Sequence, residues 1–187
     1  SIVLNGGEVQ VVASDDGLNA TAGATAGGTE SNDGSILKIT GGLVAVSSTS
    51  GAGLDSNGRL EITGGTVIVQ GPQSSPEVGM DINGDILFNG GLIVVSNPNA
   101  GNMIETPSTS SSQYSVKVSS SSIGTNLFRV EDADSKALFT FKPTRSAYNI
   151  TFSSPELKNG SSYSIYTGGS ITGTSVNGYS SEGTYSG

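Results

Sequence analysis

The chain has no cysteine, no histidine and no tryptophan among its 187 residues. Without cysteine there is neither a disulfide framework nor a thiolate metal site. Without histidine the commonest general base and the commonest transition-metal ligand are missing, and without tryptophan so is the strongest ring for stacking on a sugar. Basic residues are few. Eight stand against sixteen acids, a net charge of −8 that disfavours nucleic acid and anionic membrane as direct partners and favours cations. No stretch approaches the roughly 18 apolar residues of a membrane-spanning helix, so no membrane insertion is expected. Aromatic residues make up only 6%, while glycine reaches 28 residues, a composition that suits a chain turning corners often around an aliphatic interior.

What is present is a phrase written four times: IVLNGGEVQV from Ile2, LKITGGLVAV from Leu37, LEITGGTVIV from Leu60 and ILFNGGLIVV from Ile86. Alternate residues on either side of the double glycine are apolar, as at Leu60, Ile62, Val67 and Val69, and a period of two means strand. The second glycines are Gly7, Gly42, Gly65 and Gly91, so the repeat is 35, then 23, then 26 residues, a solenoid period too long for simple hairpins. The sequence therefore predicts an all-β, right-handed parallel β-helix over residues 1–105. Ile2 opens inside a repeat unit, so further N-terminal coils, or another copy stacking on the first coil, are expected as partners.

Each coil closes on a related phrase: DDGLNA, GAGLDSNG, EVGMDING and a degenerate AGNMIE, with Leu18, Leu54, Met80 and Met103 as the aligned apolar residues. The first coil carries an insertion of 13 residues within TAGATAGGTESNDGS, since Leu18 precedes the next second glycine by 24 residues where Leu54 and Met80 precede theirs by 11. Parity puts Leu54, Ser56, Met80 and Ile82 on one face of the third strand and Asp55, Asn57, Asp81 and Asn83 on the other. The apolar face must be inward, so Asp55 stacks over Asp81 and Asn57 over Asn83 outside, with Asn19 one coil above Asp55. Stacked carboxylates about 4.8 Å apart repel one another, and a hard cation relieves the repulsion. Calcium takes six to eight oxygens from Asp, Asn, carbonyls and water. Asp15 and Asp16 approach the same patch from the preceding turn, and Glu30 and Asp33 of the insertion can fold over it. DDG and NG are also ordinary turn sequences, in which Asp and Asn bond their own backbone.

Other motifs carry less. EDADSK, Glu131–Lys136, opens like a calcium loop, but Lys136 stands where a third oxygen ligand belongs, and a hairpin turn is expected. The double glycines precede no helix and no Lys-Ser/Thr, so they are not phosphate loops. Glu8, Lys38, Arg59 and Glu61 read as solvated charge on outward strand positions. After Glu105 the serine-rich TPSTSSSQ leads into short strands near Tyr114–Val118, Leu127–Val130, Ala137–Phe141, Tyr148–Phe152 and Tyr163–Tyr166. Residues 106–187 are expected as a mainly antiparallel cap over the core of the last coil, with Phe128, Phe139, Phe141 and Phe152 inside it. Tyr148, Tyr163, Tyr166, Tyr179 and Tyr185 are the remaining rings that could stack on a sugar.

DDGLNA, the repeated LxITGGxVxV, GLDSNG, GMDING and the run SSPELKNGSSYSIYTGG resemble the calcium-binding parallel β-helix family of bacterial cell-surface carbohydrate-binding domains. The resemblance covers essentially the whole chain. It implies calcium as cofactor, an extracellular location on the bacterial surface, and binding of cellulose and acidic pectin without cleavage. The fourth coil departs from it by lacking the Gly-x-Asp phrase, so a metal column is expected to end at Asp81 or Asp85. Three readings follow: a non-catalytic, calcium-dependent binder of acidic plant polysaccharide; a pectate lyase or pectin hydrolase; and an adhesin whose calcium only stabilises coils. Asp15-Asp16 resembles the paired acids of β-helical pectin hydrolases, but the His and Arg-x-Lys that accompany such a pair are missing, and Arg59 alone lies near the acidic column as a base for a lyase.

Overall fold

The computed structural model of the chain describes residues 1–23 and 31–187. The protein is all-β, and among the described residues the one helical element is a single 3-10 turn at Gly101–Met103. The first repeat supplies β1 (Ile2–Leu4), β2 (Glu8–Ala13) and β3 (Leu18–Ala20), and the second β4 (Ile36–Ile39), β5 (Leu43–Ser48) and β6 (Leu54–Ser56). In the third and fourth repeats the strand runs on through the glycines, giving β7 (Arg59–Gln70) and β9 (Ile86–Asn97), with β8 (Met80–Ile82) between them.

All pairing among these strands is parallel: β1, β4, β7 and β9 in succession, β2 to β5 to β7 beside them, and β3, β6 and β8 in a separate sheet. Like residues meet across repeats, Leu37 with Leu60 with Ile86 and Val44 with Val67 with Ile93. Leu60, Ile62, Val67 and Val69 are all fully buried in one core. From Ile62 to Val67 is an odd step, which strict alternation would send to opposite faces, so the backbone must turn between them. Gly65 does this at φ +87°, and a Cβ there would come within 2.6 Å of the Gly42 carbonyl oxygen of the preceding repeat. The double glycine is thus both the corner and the point of closest approach between repeats.

After Asn97 the pairing changes sense. β10 (Ser115–Gly124), β11 (Phe128–Glu131), β12 (Ala137–Phe141), β13 (Ala147–Ser153), β14 (Ser164–Thr167), β15 (Ser170–Ile171), β16 (Tyr179–Ser180) and β17 (Tyr185–Ser186) pair antiparallel throughout. β13 adds to the free edge of β9 and β10 to β13, so the eight-stranded sheet is mixed and not purely parallel. Parallel addition needs a crossover of a dozen or more residues in repeated register. No further double-glycine phrase of that spacing follows Asn97, and the chain returns antiparallel instead.

The cap does more than cover the last repeat. The sheet β14-β11-β12-β16 lays Phe128, Phe139 and Phe141 against Ile68 and Val94, the outward residues of β7 and β9. The rings of Phe139 and Phe152 lie 5.1 Å apart at their centroids within this second core. The Arg145 guanidinium fastens the cap to the repeats, with Nη2 donating to the carbonyls of Ser48, Gln70 and Gly71 at 2.6, 2.9 and 3.1 Å. Burial pushes its pKa down, yet the carbonyl oxygens stabilise the cation.

The serine-rich run lies along the leading half of β9, where a further parallel strand would pair. Ile86 N–H donates to Ser108 Oγ at 3.1 Å and Phe88 N–H to Ser111 Oγ at 3.0 Å, while Ser108 N–H and Gln113 N–H donate to the carbonyls of Ile86 and Phe88. Gln113 Nε2 completes the edge by donating to Gly91 O at 2.8 Å. Hydroxyls therefore stand in for the missing strand. Ser108→Ala together with Ser111→Ala should lower stability by about 1 kcal/mol for each amide left without its acceptor. The Ile86 and Phe88 amides should then exchange with solvent faster than in the parent chain; unchanged urea midpoint and exchange rates would show that these hydroxyls contribute nothing.

Candidate functional site

β3, β6 and β8 are short because each spans one side of a repeat, and their alternation is the one the sequence predicts. Leu54 and Met80 are buried, and between the stacked strands Asn19 pairs with Asp55 and Asp55 with Asp81 in register. Two residues beyond the Asp column, Asn57 N–H donates to Ala20 O and Asn83 N–H to Ser56 O, so both amides sit one repeat on from their acceptors. Asp16 joins the column at its open end. Its Oδ2 accepts from Asn19 Nδ2 at 2.8 Å and its Oδ1 from Ala52 N–H at 2.9 Å. Asp15 stands next to it at the exposed turn.

Two further carboxylates belong to this flank. Glu105 Oε2 accepts the Ile82 N–H at 2.9 Å, filling the place where a further repeat would offer a backbone carbonyl. Burial pushes the Glu105 pKa up to about 7, the Ile82 N–H opposes that, and the negative charges of Asp81 and Asp55 add to it. Glu77 is also raised, by burial first and then by Asp81, Asp16 and Asp15. The flank from Asp15 to Glu105 is therefore one region of negative potential.

Several sequence expectations need correction. Met103 is not the inward residue of the fourth repeat: it is 51% exposed on the 3-10 turn, and Ile104 is the buried one at 6%. Ile104-Glu105 repeats the apolar-acid order of Met80-Asp81 in sequence, and the Glu105 carboxylate lies beside the end of the paired column, on the Ile82 N–H. Apolar-acid pairs, Leu54-Asp55, Met80-Asp81 and Ile104-Glu105, are the signal that could have found Glu105; Glu77 stands at the head of EVGMDING. Asp33 lies beside Asn57, its N–H donating to the Asn57 carbonyl at 2.7 Å. Its Oδ2 accepts from Ala22 N–H at 2.7 Å and its Oδ1 from Ser35 N–H at 2.8 Å, and these bonds, the Ala22 one foremost, hold its pKa down to about 2. It is a loop tie. Glu30 lies outside the described residues. Lys38 and Glu61 are paired at 3.2 Å across adjacent repeats, with Arg59 at 3.9 Å from the same carboxylate. The Glu131–Lys136 segment is the expected hairpin turn, its Asp132 Oδ1 accepting from the N–H groups of Asp134 and Lys136.

The donor chemistry suits a hard cation, since carboxylate and amide oxygens recur in successive repeats within a negative field. Among the described residues, however, no three acidic side chains converge closely enough to encircle a metal ion as they stand. Asp16 and Glu105 accept from backbone N–H groups, and Asn19, Asp55 and Asp81 stand in register on successive strands.

Comparison with family models, curated proteins and solved structures finds no match.

The raised Glu105 sets a pH dependence whose sign is fixed. Between the ordinary glutamate value of 4.5 and about 7 the folded chain keeps a proton that the unfolded chain has released. Stability is full below that window and falls as pH rises through it, by about 1–2 kcal/mol after allowing for partial exposure. In chelator, urea midpoints at pH 5 and pH 8 should differ accordingly. Glu105→Gln, which still accepts from Ile82, should remove most of the difference; an equal difference in the variant would assign it to other groups.

Proposed function

We propose that this chain is a non-catalytic module that binds acidic plant polysaccharide, polygalacturonate in the first place and cellulose more weakly, with calcium as the link. The carrying observation is the in-register column Asn19, Asp55 and Asp81, flanked by Asp15, Asp16, Glu77 and Glu105. In this reading the parallel repeats wind as coils of a right-handed β-helix, of the kind found in the bacterial cell-surface carbohydrate-binding family that the sequence resembles. A coil places one side chain of each repeat in a column, so oxygens recur along the flank at the spacing of the ladder. Such a polymer is too large to enter a cell, which supports action at the bacterial surface.

Asp55 and Asp81 would hold the metal with Asn19, while Asp15 and Glu77 deepen the field that draws it there. Calcium held there would supply the positive charge that lets a negative flank meet a galacturonate carboxylate. Asp16 has a different task. It fixes Asn19 and the Ala52 backbone, and so orients one donor of the set. Cleavage is not part of this reading. Proton abstraction by a lyase needs a base beside the metal, and Arg59 stands 3.9 Å from Glu61, two residues along the same strand β7, outside the sheet that carries the column. If calcium served only to stabilise coils, as the adhesin reading has it, the metal would raise the melting temperature without any glycan binding.

Retention on polygalacturonate should be strongest at moderate calcium, before the polymer gels, and should disappear in chelator. Asp55→Ala with Asp81→Ala should weaken it at least about tenfold, or about 1.4 kcal/mol, and remove the calcium-induced rise in melting temperature. Retention that persists unchanged in excess chelator would refute the bridging role, and release of unsaturated oligogalacturonides would refute the non-catalytic reading. A calcium-raised melting temperature without retention would favour the adhesin.

A further inference from the structure

An opening of about 480 Å3 lies among Thr125, Lys142, Pro143, Thr144, Ser175 and Gly178. Its walls come from three separate stretches: the turn between β10 and β11, the segment leaving β12, and the turn that leads into β16. Its size falls in the range of small-ligand sites, roughly 300–1,000 Å3. In a chain of sixteen acids and eight bases no carboxylate lines it, and its one charge is the Lys142 ammonium. The ion pairs among the described residues use Lys38, Arg59, Arg129 and Lys136, not Lys142. Among the described residues the side-chain hydroxyls of Thr125, Thr144 and Ser175 take no intramolecular hydrogen bond, so the lining residues carry four polar side chains open to solvent.

Two of the three walls, the segment leaving β12 and the turn before β16, are fixed to the buried repeats. Lys142 N–H donates to Gly178 O at 2.8 Å, and Thr144 N–H to Gln70 Oε1 at 3.0 Å. Gln70 Nε2 donates to Asn177 O at 2.9 Å, while Asn177 Nδ2 donates to the carbonyls of Val46 and Ile68 at 2.9 and 3.1 Å. Gly178 has φ +82°, and a Cβ there would strike the Lys142 carbonyl. A site held this way loses little conformational freedom when it is filled.

We propose that this opening binds one uronate residue of an acidic polysaccharide. Its carboxylate would sit on the Lys142 ammonium, its hydroxyls on Thr125, Thr144 and Ser175, and its C–H face on Pro143 and Gly178. The ammonium acts as a point charge for the carboxylate, and the three hydroxyls can each donate or accept as a sugar requires. The proposal rests on the polysaccharide reading above but needs no metal. One charge contact and a few hydrogen bonds at an open site give a Kd in the millimolar range. That is too weak to retain polymer through a wash, so the calcium dependence of retention is unaffected.

The test is a titration of the full chain, in chelator, with digalacturonate, neutral galactobiose and acetate, followed by amide NMR. Digalacturonate should shift Thr125, Lys142, Thr144, Ser175 and Gly178 with saturation at millimolar concentration, and the other two probes should need about tenfold more. Lys142→Met should weaken the digalacturonate response about tenfold, and Thr144→Val should weaken it by less. Both variants should keep the parent melting temperature and its rise in calcium. An equal response to acetate would reduce the site to a plain ion contact and overturn the proposal, as would an undiminished response in Lys142→Met or shifts confined to other residues. Failure of the polysaccharide reading itself would appear separately, as absent retention of the parent chain on polygalacturonate in calcium.

Discussion

A ladder of parallel backbone hydrogen bonds between repeats must end somewhere, and most of this structure follows from how it ends. An unpaired strand edge is a template for association with other chains. Beside the fourth repeat the edge is closed in two ways. Along the late half of β9 a true strand, β13, completes it; along the early half and beside β8, side chains do so. Glu105, Ser108, Ser111 and Gln113 satisfy in turn the backbone groups of Ile82, Ile86, Phe88 and Gly91. The same ladder that stacks Leu54 on Met80 inside stacks Asp55 on Asp81 outside. Core and candidate site are two faces of one register, and a change that slips the register would lose both.

The second core explains why the cap does not simply close one end. Ile68 and Val94 project outward from β7 and β9, and an exposed aliphatic row on a sheet face would invite association. Phe128, Phe139 and Phe141 cover it. The polar clamp of Arg145, Gln70 and Asn177 then fixes the rim of that contact to carbonyls of the second and third repeats. Because the clamp orders the segment leaving β12 and the turn before β16, it also shapes the opening around Lys142. The molecule thus has two chemically opposed surfaces: an acidic flank generated by repetition and a small basic opening generated by docking.

The repeats, their inward residues and the register of the acidic column were legible in the sequence because period-two alternation and the double glycine are local signals. The strands β10 to β14 were legible from the same alternation, whereas the two-residue strands β15, β16 and β17 are too short to carry it. Four further features were not legible. Met103 and Ile104 are adjacent apolar residues, and spacing alone cannot say which one turns inward when a 3-10 turn intervenes. The role of Ser108 and Ser111 depends on which edge lies beside them, which composition does not encode. Asp33 accepts locally from Ser35 N–H, as Asp does in turns, but its bond to Ala22 N–H spans the insertion and has no local signature. The opening at Lys142 joins stretches far apart in the chain and has no local signature.

Repetition aligns Asn19, Asp55 and Asp81, and the proposed function requires that this acidic column hold a hard cation. Matched crystals grown in calcium and in chelator, compared by anomalous difference maps, test it most directly. A calcium-dependent peak is expected about 2.3–2.6 Å from carboxylate oxygens of Asp55 and Asp81. A peak elsewhere on the molecule, or no peak at millimolar calcium, would contradict it.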